Sequence, residues 1–312
     1  MFSSIKIEQL DLKIIKDDGN ATCKYSVRIP EELYTQLVRD TGLVIAKQNS
    51  MIFNYPKTKS TLFQMSIGIG SYQPNSKLPE LMFSRRSVEK FDSFFLKNIP
   101  MLNNSFDSLA ILPRLFNEKA TLNNILNAFE LFIQTSSEND CLVLYLVGHG
   151  IVPKGSELFH FFPYDGINGT DEEIFSSTLN TPILIDLIKS LKCRRVILII
   201  DACLSGSAAE SISKAVQSKI TEDAPSDNTI PFSVNILFSA LPYQFSIHTT
   251  DGSFLVNNIE KAMLILKEHK ENISIGKIFR LILENTQSKY KSITQIPLII
   301  TSGTDFELFK YN

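Results

Sequence analysis

Two long apolar runs constrain the fold of this chain more than any other feature of its sequence. The run DCLVLYLVGHG covers residues 140–150, and RRVILIIDACLSG covers residues 194–206. Within each run the aliphatic residues follow one another almost without a polar interruption, so both faces of the strand are apolar. Such strands are typical of the interior of a parallel sheet that helices cover on both sides. We therefore predict that both runs are central strands.

From residue 61 onward the chain alternates between strand-like and helix-like segments. Four further strands are predicted at residues 62–70, 108–113, 232–240 and 296–302. Helices are predicted at residues 78–98, 119–136, 183–192, 208–220, 253–268 and 274–289. Strands that alternate with helices favour parallel pairing, with the connecting helices on both faces of the sheet. We predict an α/β fold with a mostly parallel six-stranded sheet flanked by helices.

Residues 1–60 have a different pattern. The segments 4–15 and 22–29 alternate apolar and polar residues, and the turn signal DDGN lies between them, which predicts a hairpin. The segment 30–42 starts with proline and ends with glycine, as helices often do. We predict a small N-terminal β-containing extension, followed by the main domain over residues 61–312. The alternative is that these segments are the first elements of the main domain.

The composition argues against several classes of protein. The chain has 312 residues and a formal net charge of −2, so neither nucleic acid nor an anionic membrane is indicated as a partner. No apolar run approaches the roughly 20 residues that span a bilayer, and the first residues lack the apolar core of a signal peptide. Four cysteines without metal-ligand spacing favour a reduced, cytoplasmic protein with no cofactor.

Each of the two central runs ends in a reactive side chain. His149 follows the first run and Cys203 follows the second. Parallel neighbours end at the same edge of a sheet, where α/β proteins build their sites. An imidazole beside a thiol favours the thiolate and later protonates a leaving amine. The alternative is that Cys203 is a small buried strand-end residue and His149 a turn residue.

The backbone around these two side chains suits acyl chemistry. Gly148 and Gly150 flank His149, and they remove Cβ atoms where a substrate backbone has to come close. The N–H groups of Gly150 and Cys203 are candidate donors for a developing oxyanion. The sequence therefore predicts a nucleophilic cysteine with a histidine partner.

These motifs resemble the caspase-like clan of cysteine peptidases, and within it the metacaspase-like, bacterial-type members. The specific matches are YLVGHG at residues 145–150 and ILIIDACLSG at residues 197–206. Weaker matches are FQMSIGIGSYQPNSKLPEL at residues 63–81, FFPYDG at residues 161–166 and the segment 237–263. The resemblance implies a caspase-like sheet, with His149 as general acid and base and Cys203 as nucleophile, and an enzyme stored as a zymogen.

The same resemblance assigns a role to Asp201, two residues before the cysteine. In metacaspase-like enzymes an acid at this position lines the pocket that selects Arg or Lys before the cut bond. The alternative is a structural carboxylate satisfied by backbone amides. Ser87 stands where the family often has a second acid, which leaves the strength of basic selectivity open, and Asp165 is one residue that would compensate.

Residues 208–231 lie where related enzymes carry a linker that is cut during activation. Under the basic-specificity interpretation, Lys214 and Lys219 are candidate self-processing sites. A group of three acids, Glu222, Asp223 and Asp227, would suit the calcium that some metacaspase-like enzymes require. The alternative is an ordinary solvated polar loop.

The leading hypothesis is a cysteine endopeptidase that cleaves protein or peptide substrates after a basic residue. The resemblance places such enzymes in regulated defence or cell death, with an activating partner. The second hypothesis is a catalytically silent caspase-like scaffold that binds protein partners through the extension. A non-proteolytic thiol acyl transferase or hydrolase is a third, but the GxSxG elbow of such enzymes is absent around Cys203.

Overall fold

A computed structural model describes most of the chain: residues 11–16, 23–28, 52–55, 60–102, 105–222, 232–289, 295–303 and 305–311. The chain divides into two compact units, Met1–Lys59 and Ser60–Asn312. No helix in these described ranges is long and apolar enough to cross a membrane.

The first unit contains a three-stranded antiparallel sheet. Its strands are β1 (Asp11–Lys16), β2 (Cys23–Arg28) and β3 (Ile52–Tyr55), with β2 in the centre. The first two form the antiparallel pair that the alternating pattern predicts. The predicted helix over residues 30–42 lies outside the described residues.

The elements of the second unit follow the predicted alternation. Its strands are β4 (Thr61–Gly68), β5 (Ser108–Ile111), β6 (Leu115–Phe116), β7 (Cys141–Val147), β8 (Gly150–Ile151), β9 (His160–Phe161), β10 (Leu179–Asn180), β11 (Arg195–Asp201), β12 (Ser233–Phe238), β13 (His248–Thr249), β14 (Gly252–Ser253), β15 (Ile273–Ser274), β16 (Leu298–Ser302) and β17 (Glu307–Phe309). Its helices are α1 (Ser84–Lys97), α2 (Ile99–Leu102), α3 (Leu122–Thr135), α4 (Asp171–Ser177), α5 (Thr181–Ser190), α6 (Ala209–Glu222), α7 (Phe254–Glu268) and α8 (Ile275–Lys289).

The main sheet has the order β16-β12-β11-β7-β4-β5, and β6 pairs with β4 beyond the end of β5. All neighbours run parallel except β16, which is antiparallel to β12. The predicted α/β class with a mostly parallel sheet is confirmed. The sheet also has a seventh strand, the two-residue β6. The sequence does not predict it, because so short a strand leaves no periodic signal.

Both faces of the central strands are buried, as their unbroken apolar runs require. Leu142, Leu144 and Leu146 of β7 belong to one core cluster with residues of α3, α5 and α6. Val143 and Tyr145 point the other way, into a second cluster with residues of α1, α7 and α8. Successive side chains of a strand alternate between faces, so the two central strands supply both layers of the core.

The connection from β7 to α5 contains short elements that periodicity does not reveal. Strands β8, β9 and β10 form a small antiparallel sheet, and α4 lies between β9 and β10 along the chain. Helix α4 begins with a capping box in which Thr170 and Glu173 bond each other's backbone N–H groups. These elements fix the position of the chain directly after His149.

Candidate active site

The carboxyl edge of the main sheet brings the two sequence motifs together. Strands β7 and β11 are parallel neighbours, and their last register pair is Val147 with Asp201. His149 and Cys203 each lie two residues beyond that pair. The N–H of Gly148 donates to the carbonyl of Asp201 at 3.3 Å. The two loops therefore leave the sheet side by side.

Glycine is required at two positions because the loops pack backbone against backbone. A Cβ on Gly150 would come within 2.6 Å of the carbonyl oxygen of Cys203 and 2.5 Å of the Phe159 ring. A Cβ on Gly206 would come within 2.7 Å of the carbonyl oxygen of Ala240. The glycines of GHG and DACLSG thus let the chain approach the nucleophile loop from two sides.

The imidazole of His149 has a fixed orientation. Its Nε2 lies 2.8 Å from the carbonyl oxygen of Pro79. A carbonyl only accepts hydrogen bonds, so Nε2 is the atom that carries the proton and Nδ1 is the free base. Burial lowers the pKa of His149, the Pro79 contact raises it, and the nearby charge of His248 lowers it. The ring is therefore a neutral base near neutral pH.

Tyr72 supports the histidine from the other side. Its hydroxyl oxygen accepts the N–H of His149 at 2.8 Å, and the two ring centroids are 5.2 Å apart. Burial raises the pKa of Tyr72 well above its ordinary value, the His149 N–H lowers it, and the charge of Cys203 raises it. The phenol therefore lies close to both groups of the predicted dyad.

Cys203 is the partly exposed cysteine of the second unit, and Cys141 and Cys193 are buried. The N–H of Ser246 donates to Sγ of Cys203 at 3.4 Å. Burial raises the pKa of the Cys203 thiol, the Ser246 N–H lowers it, and the charge of Asp201 raises it. With a raised thiol pKa and a lowered imidazole pKa, the resting pair is thiol and neutral imidazole.

The backbone turns sharply at the nucleophile. Leu204, the next residue, has φ of 59° and ψ of 13°, a left-handed conformation that leucine rarely adopts. The N–H of Leu204 donates to the carbonyl of Gln244 at 2.9 Å. Such unusual backbone conformations cluster at functional sites and persist only where the surroundings impose them.

The N–H of Gly150 is directed away from its partner strand. Phe162 donates its N–H to the carbonyl of His149 at 3.0 Å, and the next opposed pair is Gly150 with Phe161. Hydrogen-bonded and non-bonded pairs alternate in an antiparallel ladder, so Gly150 belongs to a non-bonded pair. Its N–H is therefore not used in the ladder with β9.

Asp201, two residues before Cys203, has a fully buried side chain. The hydroxyl of Tyr145 donates to Oδ2 at 2.9 Å, and the hydroxyl of Ser246 donates to Oδ1 at 2.8 Å. Burial raises the pKa of Tyr145 well above its ordinary value, Asp201 raises it, and hydrogen bonds with the Ser253 and Ser87 hydroxyls lower it. The acid therefore belongs to a cluster of hydroxyl groups.

Ser87 and Asp165, which the sequence analysis relates to the missing second acid, lie in different surroundings. Ser87 is buried in the hydroxyl cluster, where its Oγ donates to the carbonyl of Phe83 and accepts the N–H of Ser253 at 2.9 Å. The carboxylate of Asp165 instead accepts the N–H of Leu122 at 2.8 Å, in the first turn of α3. Ser87 thus reaches Asp201 only through the hydroxyl of Tyr145, whereas Asp165 accepts a backbone N–H at the start of α3.

The predicted processing residues lie within helix α6. Lys214 pairs with Glu210 on an exposed face, and Lys219 donates to the carbonyl of Lys189 at 2.8 Å. A protease takes its substrate extended, so cleavage at either lysine requires this helix to unwind. The side chains of the three candidate calcium ligands lie outside the described residues. Among the residues that are described, no group of three metal-binding side chains comes together.

A family model for the caspase domain, Peptidase C14, matches residues 93–307, which is more than half of the sequence. The chain belongs to the caspase-domain family. Members of this family are typically cysteine peptidases. No curated protein matches the sequence.

Two solved structures are similar to this caspase-domain chain. Protein GSU0716 from Geobacter sulfurreducens has 14% sequence identity and a TM-score of 0.54, with 79% of this chain and 95% of that chain covered. Caspase-1 from Spodoptera frugiperda has 14% identity and a TM-score of 0.46, with 77% and 87% covered. At this identity the first likeness supports the fold and not the activity.

Three residues of the site were not predicted from the sequence. Tyr145 carries a signal, because a hydroxyl inside the run LVLYLV has to find a buried partner. Ser246 carries a weaker one, the polar and apolar alternation of PYQFSIHT. Tyr72 carries none, since it lies in a loop whose path depends on the rest of the fold.

Proposed function

We propose that this caspase-domain protein is a cysteine endopeptidase of the caspase and metacaspase type that cleaves after a basic residue. Cys203 is its nucleophile and His149 its general acid and base. The observation that carries the proposal is that His149 and Cys203 extend from neighbouring parallel strands at equal distances beyond one register pair. The proposal places the chain in a regulated pathway, as the resemblance implies.

The proton path follows from the orientation of His149. With Nε2 bonded to Pro79, Nδ1 takes the proton from the Cys203 thiol as Sγ attacks the scissile carbonyl carbon. The imidazolium then gives that proton to the leaving amine, and the C–N bond breaks to leave a thioester. His149 next takes a proton from a water molecule, whose oxygen attacks the thioester carbon. The C–S bond then breaks, and the imidazolium returns its proton to the sulfur, which releases the acid and the free thiol.

The developing oxyanion has two donors in this proposal. The N–H of Gly150 faces away from β9, and the N–H of Cys203 lies close enough to its own Sγ to lower the thiol pKa. Backbone donors held in this way need no reorganisation when charge develops. They stabilise the tetrahedral intermediate of both steps.

The substrate side of the site is the segment over residues 243–247. Its exposed fraction alternates, with Tyr243 at 93%, Phe245 at 70% and Ile247 at 37%, while Gln244 and Ser246 are half-buried. Tyr243 closes a turn in which the N–H of Gln244 donates to the carbonyl of Leu241 at 3.0 Å, and the alternation after it is typical of an extended chain. In the proposal a peptide binds along this segment, with apolar contacts to the exposed side chains and its basic residue directed to Asp201.

The test is a panel of fluorogenic peptides that differ only in the residue before the cut, which is Arg, Lys, Asp or Leu. It is run with and without calcium on the full chain and on Cys203→Ala, His149→Ala and Asp201→Asn. His269→Ala is the matched histidine control, because His269 is exposed and bonds its own helix. We expect cleavage after Arg or Lys, and a loss of at least about 1,000-fold without either dyad residue.

Two results would change the proposal. Cleavage only after Asp or Leu, lost in Cys203→Ala, would keep the nucleophile and reject Asp201 as the specificity acid. No cleavage, together with no labelling of Cys203 by a peptidyl chloromethyl ketone, would favour the catalytically silent scaffold. The labelling reagent alkylates an activated thiol without a completed turnover, so it separates these cases.

A further inference from the structure

Ser246 contacts both Cys203 and Asp201. The backbone N–H of Ser246 donates to Sγ of Cys203 at 3.4 Å, and its hydroxyl donates to Oδ1 of Asp201 at 2.8 Å. These are two different groups of one residue, directed at the two side chains that chemistry and specificity require. The residue comes from a segment more than 40 positions further along the chain.

The hydroxyl of Ser246 completes the enclosure of Asp201. The other carboxylate oxygen is bonded to the hydroxyl of Tyr145, and the exposed fraction of Asp201 is 0%. A guanidinium or ammonium group binds a carboxylate through direct N–H bonds to its oxygens. In this conformation neither oxygen is open to such a group, so a basic side chain has to replace one of the hydroxyls.

Of the two hydroxyls, that of Ser246 is the one able to leave. Tyr145 belongs to the centre of β7 and is fully buried. Ser246 lies on the half-exposed segment 243–247, which is held by amide contacts such as Ile296 N–H to Gln244 Oε1 at 2.8 Å. A single rotation about χ1 of Ser246 frees Oδ1 without moving the backbone N–H from the thiol.

We propose that Ser246 determines the charge specificity of this site by capping Asp201. Its hydroxyl occupies the place on Oδ1 that a basic substrate side chain takes, and it leaves only when such a side chain competes for the carboxylate. Its N–H remains on Sγ and positions the thiol. The inference takes the basic substrate residue from the proposed function. The contacts of Ser246 with Cys203 and Asp201 do not depend on that function.

The test measures how strongly the charge around Cys203 affects labelling of its thiol, and it does not require proteolysis. Methanethiosulfonate reagents transfer their alkylthio group to the thiolate, forming a disulfide and releasing methanesulfinate. The measured quantity is the ratio of the labelling rate of a cationic aminoethyl reagent, whose primary ammonium carries N–H donors, to that of the neutral methyl reagent, with Cys203→Ala as blank. Ser246→Ala removes the cap and keeps the N–H. Ser207→Ala is the matched control, since the Ser207 hydroxyl bonds the carbonyl of Pro242 at 3.3 Å.

We expect the rate ratio to rise three- to tenfold in Ser246→Ala and to stay unchanged in Ser207→Ala. Ser246→Thr, which keeps a hydroxyl, should restore the ratio of the unsubstituted chain. The double variant Ser246→Ala with Asp201→Asn should lose the gain, because the charge is gone. Thermal melting of each variant shows whether it is folded.

An unchanged ratio in a folded Ser246→Ala protein would overturn the cap. The outcome is independent of the peptide panel. A raised ratio without peptide cleavage would support the Ser246 cap and reject the endopeptidase. Cleavage after Arg with an unchanged ratio would support the endopeptidase and reject the cap. If both hold, Ser246→Ala should lower KM for the Arg peptide by a similar factor.

Discussion

The cysteines at the two ends of β7 and β11 differ in burial and in the groups that shift their pKa. At the amino end Cys141 begins β7 and Cys193 lies two residues before β11, and both side chains are fully buried. Burial raises the pKa of Cys141 well above its ordinary value and that of Cys193 to about 12. At the carboxyl end Cys203 is partly exposed, and the Ser246 N–H opposes the effect of burial on its pKa.

The difference between the two ends lies in the loops and not in the strands. At the amino end the carboxylate of Asp140 accepts the N–H groups of Thr61 and Ser137, each at 2.7 Å, and so closes the edge of the sheet. At the carboxyl end, the donors of Ser246 and the hydroxyl of Tyr145 converge on a thiol and an acid. A sheet buries its cysteines by default, and a loop is needed to make one reactive.

The largest expected effect is on alkylation by iodoacetamide. In the folded chain Cys203 should react at least about 1,000-fold faster than Cys141 or Cys193, because buried thiols react only through opening of the structure. Peptide mapping by mass spectrometry after timed quenching measures the three rates. In denaturant the rates should converge. Comparable rates in the folded protein would remove the contrast between the two ends.

The next effect concerns the close approach of backbone at the carboxyl end. Gly150→Ala should reduce peptide cleavage about 100-fold, because its Cβ would collide with the Cys203 carbonyl and displace the nucleophile. Gly155→Ala is the control, since no atom lies within 4 Å of its Cβ position although φ is +83°. That control should lose only about 1 kcal/mol of stability and keep its activity. Equal activity losses would mean that the close approach is unimportant.

A smaller effect distinguishes a neutral dyad from a preformed ion pair. The pKa of Cys203 is raised and that of His149 is lowered, so the thiolate is the minor form near neutrality. Alkylation of Cys203 should therefore rise about tenfold per pH unit from about pH 6 to about pH 8. A flat profile over this range would instead mean that the thiol proton passes to His149, either in a preformed ion pair or as sulfur attacks. His149→Ala should keep the slope.

The smallest effect is on stability. Tyr145→Phe should reduce the free energy of unfolding by about 1–3 kcal/mol, because a buried oxygen of Asp201 loses its donor. Denaturant unfolding followed by circular dichroism gives this value. Tyr243→Phe, at a residue 93% exposed, should change it by less than about 0.5 kcal/mol. An equally small loss from Tyr145→Phe would mean that water satisfies the acid.

Much of the fold could be predicted from the sequence. The six strands read from apolar runs correspond to β4, β5, β7, β11, β12 and β16 of the main sheet, because burial on two faces forces a long aliphatic pattern. The two-residue strands β6, β8, β9 and β10 could not be predicted, since two residues show no period. Predictions for side chains outside the described residues, such as Asp223 and Asp227, stay predictions.

The sequence by itself determined where the reactive side chains are placed. Once β7 and β11 are central parallel strands, His149 and Cys203 have to leave the sheet at one edge, and this follows from residue pattern alone. Only the tertiary structure decided what surrounds them. Pro79 lies 70 residues from His149 along the chain and Ser246 lies 43 from Cys203. Local periodicity carries no information on such contacts, because they form only when separate loops close over the finished sheet.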